Sequence, residues 1–119
     1  MPINNTMELI QFFTLSLDSN FTLNKQLLLK LGINKAVYIT NLIDKYKYSL
    51  YHAIPKSDWF YESQENQIEE LGMSKYSIRN CKKYFQKIGV LEIRKKIHSK
   101  NEYFTLDLSK LKQLLNEVN

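Results

Sequence analysis

Residues 73–108 read M-S-K-Y-S-I-R-N-C-K-K-Y-F-Q-K-I-G-V-L-E-I-R-K-K-I-H-S-K-N-E-Y-F-T-L-D-L. The first half has the period of an amphipathic helix. Ile78, Cys81, Phe85 and Ile88 recur at spacings of three, four and three, which places them on one stripe at 3.6 residues per turn. Burying each contributes up to about 1.5–3 kcal/mol. Ser74 is positioned to cap the helix by accepting a bond from a first-turn N–H, and Gly89 to end it. The opposite face carries Tyr76, Arg79, Asn80, Lys83 and Lys87, flanked by Lys75, Lys82 and Gln86. The second half changes period. Leu91, Ile93 and Lys95 alternate with Glu92, Arg94 and Lys96, and Phe104, Leu106 and Leu108 repeat the alternation on a return strand. The polar segment His98-Ser99-Lys100-Asn101 supplies the turn between them.

Charge sets this stretch apart. Lys75 to Lys100 holds nine basic residues and one acidic residue, Glu92, leaving eight basic against eleven acidic elsewhere. The segment is therefore +8 and the remainder −3, although the whole chain is only +5. A basic segment on a mildly acidic body is the electrostatic pattern of a nucleic-acid binder. Lys75, Arg79 and Lys83 lie at i, i+4 and i+8 with no acidic relief, whereas a face serving only solubility would intersperse both signs.

Working outward, the 119 residues suit one domain with its own core. Apolar residues at 44% and aromatics at 13% argue against disorder. A single cysteine gives no internal disulfide and fits a reducing, cytoplasmic setting. No apolar run is long enough to span a bilayer. The three glycines all stand between apolar residues where a helical stripe runs out, so each is expected to terminate a helix.

Before the central stretch, residues 1–20 have no decisive period and are expected to pack on the domain or on a second copy. Asn24 to Leu31 is a short helix ended by Gly32. Asn34 is expected to cap a longer one that buries Ala36, Ile39, Ile43, Tyr46 and Leu50 and exposes Asn41, Asp44, Lys45 and Lys47. His52 to Asp58 is a loop. Trp59-Phe60-Tyr61 is a short strand beside the hairpin, its aromatics expected in the core. Ser63 caps a helix over Gln64 to Leu71 with Ile68 and Leu71 inward. The face with Glu65, Glu69 and Glu70 would repel phosphates and is expected to point away from a duplex. After the hairpin, Ser109 is expected to cap a last helix with Leu111, Leu114, Leu115 and Val118 on one stripe. That stripe, with the N-terminal segment, is the candidate homodimer surface.

The expected fold is mainly α with a small antiparallel β-sheet (α+β), a winged helix-turn-helix: segment 1–20, a DNA-binding domain over 21–108, and an amphipathic helix over 109–119. Double-stranded DNA is the expected partner, bound without catalysis, metal or cofactor, at Lys75, Tyr76, Arg79, Asn80, Lys83, Lys87, Arg94, Lys95, Lys96, His98 and Lys100. Arg bridging guanine and Asn bridging adenine make Arg79 and Asn80 the base readers, while the hairpin cations suit phosphate. The alternative is a protein-interaction module whose basic face docks an acidic partner. Cys81 on the buried stripe reads as core. Neither His52 nor His98 has metal-ligand company. No glycine-rich phosphate loop, paired carboxylates or His-activated nucleophile is present.

From Asn24 to Phe104 the chain resembles the N-terminal winged-helix domain of plasmid and phage replication initiators and replisome organisers. The resemblance rests on L-L-L-K-L-G-I-N-K-A-V-Y-I-T-N-L-I, D-W-F-Y-E-S, I-E-E-L-G-M-S-K-Y-S-I-R-N-C-K-K-Y-F-Q-K-I-G-V-L-E-I-R-K-K and E-Y-F-T-L. It implies duplex binding at an origin or operator, with Tyr76, Arg79, Asn80 and Lys83 facing the major groove. The family's usual further domain for assembly or helicase recruitment has no counterpart in these residues. The chain is thus expected to be a fragment or a stand-alone regulator using the same module.

Overall fold

Asn24 opens the first helix of the computed structural model, which describes residues 23–95 and 102–116. Its side-chain oxygen accepts from the backbone N–H groups of Gln26 and Leu27, satisfying two donors that a helix start leaves unpaired. Helix α1 runs Lys25–Leu31 and α2 runs Ile33–Tyr51, with Gly32 alone between them. Gly32 serves both helices: its N–H bonds Leu28 O and its carbonyl accepts from Ala36 N. Its φ of 84° lies where side chains are disfavoured. Asn34 is therefore inside the first turn of α2 and not its cap, a correction that follows from a one-residue junction leaving no room for a capping residue.

The remaining elements are β1 (Phe60–Glu62), α3 (Gln64–Leu71), α4 (Lys75–Lys87), β2 (Leu91–Lys95), β3 (Glu102–Leu106) and α5 (Leu108–Asn116). The strands form one antiparallel sheet in the order β1-β3-β2, so this is an α+β fold. Phe60 stands opposite Phe104, and Ile93 opposite the same residue from the other side. The short aromatic strand thus pairs beside the hairpin as expected, shifted by one residue from W-F-Y to F-Y-E.

The core collects Leu27, Ala36, Tyr38, Ile39, Leu42, Ile78, Cys81, Phe85, Val90, Leu91, Phe104, Leu106 and Leu111. Helix α2 buries Tyr38 and Leu42 fully, while Ile43, Tyr46 and Leu50 are half-buried, so its inner face is rotated from the expected stripe. Asn41, expected on the polar face, is buried. In α3 the fully buried residue is Gln67, whose amide donates to Tyr38 Oη at 3.3 Å; Ile68 and Leu71 are only partly covered. Of the aromatic trio only Phe60 enters the core. Trp59 is half-buried and Tyr61 is 54% exposed, because alternation along a strand sends neighbours to opposite faces.

Two boundaries near the C-terminus differ from the expectation. Strand β3 ends at Leu106 and Leu108 already belongs to α5. The cap of α5 is Asp107, not Ser109: its Oδ1 accepts from the backbone N–H groups of Ser109 and Lys110 and from the Ser109 hydroxyl. A charged carboxylate oxygen holds such donors more strongly than a neutral hydroxyl does. Helix α5 packs on α1 with Leu111 buried and Leu114 and Leu115 half-buried against the core. Much of the candidate dimer stripe is thus used within the chain, and Val118 and residues 1–20 lie outside the described residues.

One polar cluster ties the sheet edge to the helices. Glu62 ends β1 with its side chain fully buried, and Lys45 of α2 pairs with both Glu62 and Glu70 of α3. The other Glu62 oxygen accepts from Ser63 N at 3.1 Å and Asn66 Nδ2 at 2.7 Å. Glu70 is thereby tied to α2 although it is exposed, as Glu65 and Glu69 are.

Candidate nucleic-acid interface

Helices α3 and α4 are joined by only three residues, Gly72 to Ser74. Gly72 adopts the left-handed conformation at φ 64° and returns its N–H to Ile68 O, closing α3. Ser74 is extended, and its hydroxyl accepts from Ser77 N at 3.1 Å, opening α4. The inner face of α4 is held by Ile78, Cys81 and Phe85, all buried, with Ile88 half-buried as the C-cap. The Phe85 ring lies nearly parallel to Tyr38 at 6.1 Å and edge-on to Tyr84 at 5.1 Å. Burial pushes the Cys81 thiol above its ordinary pKa, only partly offset by the nearby Lys35 ammonium. Cys81 is a protonated core residue, as the stripe predicts.

The outer face of α4 presents Lys75, Tyr76, Arg79, Asn80, Lys83, Gln86 and Lys87, all exposed, with Tyr76 at 73%. Among the described residues no carboxylate pairs with Lys75, Arg79, Lys83 or Lys87. Four cations on one helix face thus stand without local neutralisation. Lys82 is different. It turns from that face to pair with Glu102 at the start of β3, and its ammonium lies 5.7 Å from the Phe104 ring centre. This contact straps the helix to the base of the hairpin, while α4 also packs on β2.

On the hairpin, Arg94 and Lys95 are exposed. Lys95 follows Leu91 and Ile93 in alternation, yet it stands beyond the edge of the core. Arg94 lies over the Trp59 ring at 4.4 Å and 3.8 Å from Glu92, so it covers the outer surface of the sheet. Lys96, His98 and Lys100, at the expected hairpin tip, lie outside the described residues. No group of His, Cys, Asp and Glu suited to a metal occurs among the described residues, and no described helix is long and apolar enough to cross a membrane.

Two features here were missed in the sequence. Lys35, on α2, sits 5.0 Å from the Tyr84 ring and adds a cation beside α4; nothing in the local pattern of α2 signals it. The outward aromatic surface of the sheet had a signal, the alternation of Tyr61 with Phe60 and of Tyr103 with Phe104.

No family model and no curated protein matches this chain. In three dimensions it is similar to a solved structure described as the N-terminal domain of a DNA binding protein, with a TM-score of 0.57 and 16% sequence identity. The likeness covers 100% of this chain and 98% of that one. At that identity the two share a fold.

Proposed function

We propose that this chain binds double-stranded DNA sequence-specifically as a winged helix-turn-helix. The observation that carries the proposal is the outer face of α4: Lys75, Arg79, Lys83 and Lys87 exposed and unpaired among the described residues, opposite a fully anchored apolar face. The similarity to a domain of a DNA binding protein supports it. Arg79 and Asn80 read base edges in the major groove, with Tyr76 beside them, because their donors and acceptors match guanine and adenine. Lys75, Lys83 and Lys87 contact phosphate, joined by Arg94, Lys95, Lys96, His98 and Lys100 from the wing. The DNA-binding module is the segment 21–108, and helix α5 closes it. The setting that fits this module is a replication initiator-like or transcription-regulatory protein of a plasmid, phage or virus. It works as a homodimer through residues 1–20 and the α5 stripe, where Leu114 and Leu115 are only half-buried, which sedimentation at high micromolar concentration tests.

Fluorescence anisotropy with a labelled duplex over a salt series tests DNA binding. Neutralising about five to seven phosphates gives a slope near −5 in log affinity against log salt. Arg79→Ala relaxes base preference, whereas Lys95→Ala and Lys96→Ala weaken all sequences alike. A flat salt response, or binding of an acidic protein in place of duplex at low salt, refutes the proposal.

A further inference from the structure

The outer face of the sheet carries aromatic rings, beside Arg94, that the proposed duplex binding by α4 and the wing does not use. Strand register sets Tyr61 opposite Tyr103, and Tyr103 opposite Arg94, so these three form a row across the sheet. The two tyrosine rings meet edge-on at 5.0 Å. Trp59 lies at the near end of β1, with Arg94 stacked on its ring at 4.4 Å. Two depressions of about 490 and 380 Å³ share Trp59 and Tyr103 in their walls, and so make one groove from the end of α2 to the hairpin. Among the described residues the hairpin half is walled by Trp59, Tyr103, Arg94 and Lys95, with no carboxylate, while the α2 half includes Asp44 beside Lys45. The exposed Glu92 that touches Arg94 does so at 3.8 Å between two largely solvated side chains, a weak competitor for a bound anion.

We propose that this groove is a second nucleic-acid site, which takes an unpaired stretch of single-stranded DNA. Its bases stack on Trp59, Tyr103 and the Arg94 guanidinium, and its phosphates run along Arg94 and Lys95. Aromatic rings beside a basic edge are what sequence-tolerant single-strand binding requires, since every base has a π-face and every linkage a negative charge. A flat guanidinium adds a further stacking surface. Charge argues against an uncharged peptide as occupant: the described basic residues of the hairpin half are Arg94 and Lys95. A duplex, with its bases already stacked on each other, cannot use the rings. The choice of DNA over RNA rests on the proposed duplex binding; the stacking does not.

Trp59 is the single tryptophan, so its emission reports on the groove. Titrating the full chain at low salt with an oligothymidylate of about ten nucleotides should quench that emission saturably. A blunt duplex, which reaches Arg94 but none of the rings, should quench it far less at concentrations that saturate binding by anisotropy. Tyr103→Leu keeps an apolar body in the sheet but removes the ring, and should weaken single-strand binding about tenfold with duplex affinity unchanged. Tyr61→Ala, at the exposed edge, gives a second measure should circular dichroism show Tyr103→Leu unfolded. The proposal is overturned by absence of quenching, by equal quenching with inorganic polyphosphate, or by both variants binding as the parent does. Quenching by a proline-rich peptide but not by oligothymidylate overturns it in favour of peptide docking. Tighter binding of oligouridylate overturns the assignment to DNA. Loss of this site with duplex binding intact removes the groove alone, and the converse result removes the α4 interface alone.

Discussion

Replacing Lys45 by methionine keeps most of the apolar stem and removes the ammonium that Glu62 and Glu70 share. The Glu62 side chain is 0% exposed, so its charge cannot recover water when its partner goes. Removing one member of a buried ion pair costs about 3–5 kcal/mol. Two facts place this case at the lower end. The second Glu62 oxygen keeps its bonds from Ser63 N and Asn66 Nδ2, and the Lys45 side chain is 23% exposed, so part of the attraction is already screened. A loss of about 3 kcal/mol follows. With a urea m-value of about 1.5 kcal/mol/M, the midpoint should fall by about 2 M at pH 7. Neutralising the stranded carboxylate in the double variant Lys45→Met/Glu62→Gln should recover more than half of the loss, since a neutral amide retains the capacity to accept from Ser63 and Asn66. Urea unfolding followed by far-UV circular dichroism measures all three proteins. A single-variant loss below about 1 kcal/mol, or a double variant no better than the single, would refute the claim that the pair is desolvated.

Three further outcomes can be checked in the same laboratory. Gly72→Ala should lower stability by about 1–2 kcal/mol, because φ is positive there and none of the described residues lies within 4 Å of the added carbon, so the cost is backbone strain; Gly72→Asn should lose less in thermal melts. Cys81 should resist iodoacetamide at pH 8 in the native protein and react rapidly in urea, since burial keeps the thiol protonated; rapid native labelling would contradict its place in the core. Asp107 has its carboxyl held below the ordinary carboxylate pKa, first by the Ser109 hydroxyl and then by Lys110 N. A depressed folded-state pKa means that its contribution is present above about pH 4 and is lost as the pH falls through the folded value. Asp107→Asn should therefore flatten the acid limb of a stability–pH curve in that window, and an unchanged acid limb would count against the cap.

Local signals were the ones that could be read along the chain. Ser63 and Ser74 cap the helices they precede, the Ile78–Cys81–Phe85 stripe is buried, and the glycines stand at helix ends, because each depends on neighbours within a turn or two. What escaped depends on partners distant in sequence. Gln67 faces inward because Tyr38, twenty-nine residues away, offers its hydroxyl. Lys45 looks like a solvated helix residue until β1 brings Glu62 against it. Three consecutive aromatics, Trp59 to Tyr61, give no apolar–polar contrast, so alternation puts neighbours on opposite faces but which face is the core emerges only once β3 is paired alongside. In the candidate interface, the exposure of Lys75, Arg79 and Lys83 follows from helical period, whereas the diversion of Lys82 to Glu102 needs the register of the hairpin.

The hydrogen bond from Gln67 to Tyr38 has a mechanical side. An all-apolar contact between α3 and α2 would tolerate a few degrees of roll, since greasy surfaces slide with little loss. A buried amide that has found its acceptor does not, and any rotation of α3 about its own axis leaves both groups stranded in the interior. Because α3 hands the chain to α4 through a three-residue corner, the angular setting of the cationic helix is inherited from a polar latch whose tyrosine also lies against Phe85 of that helix.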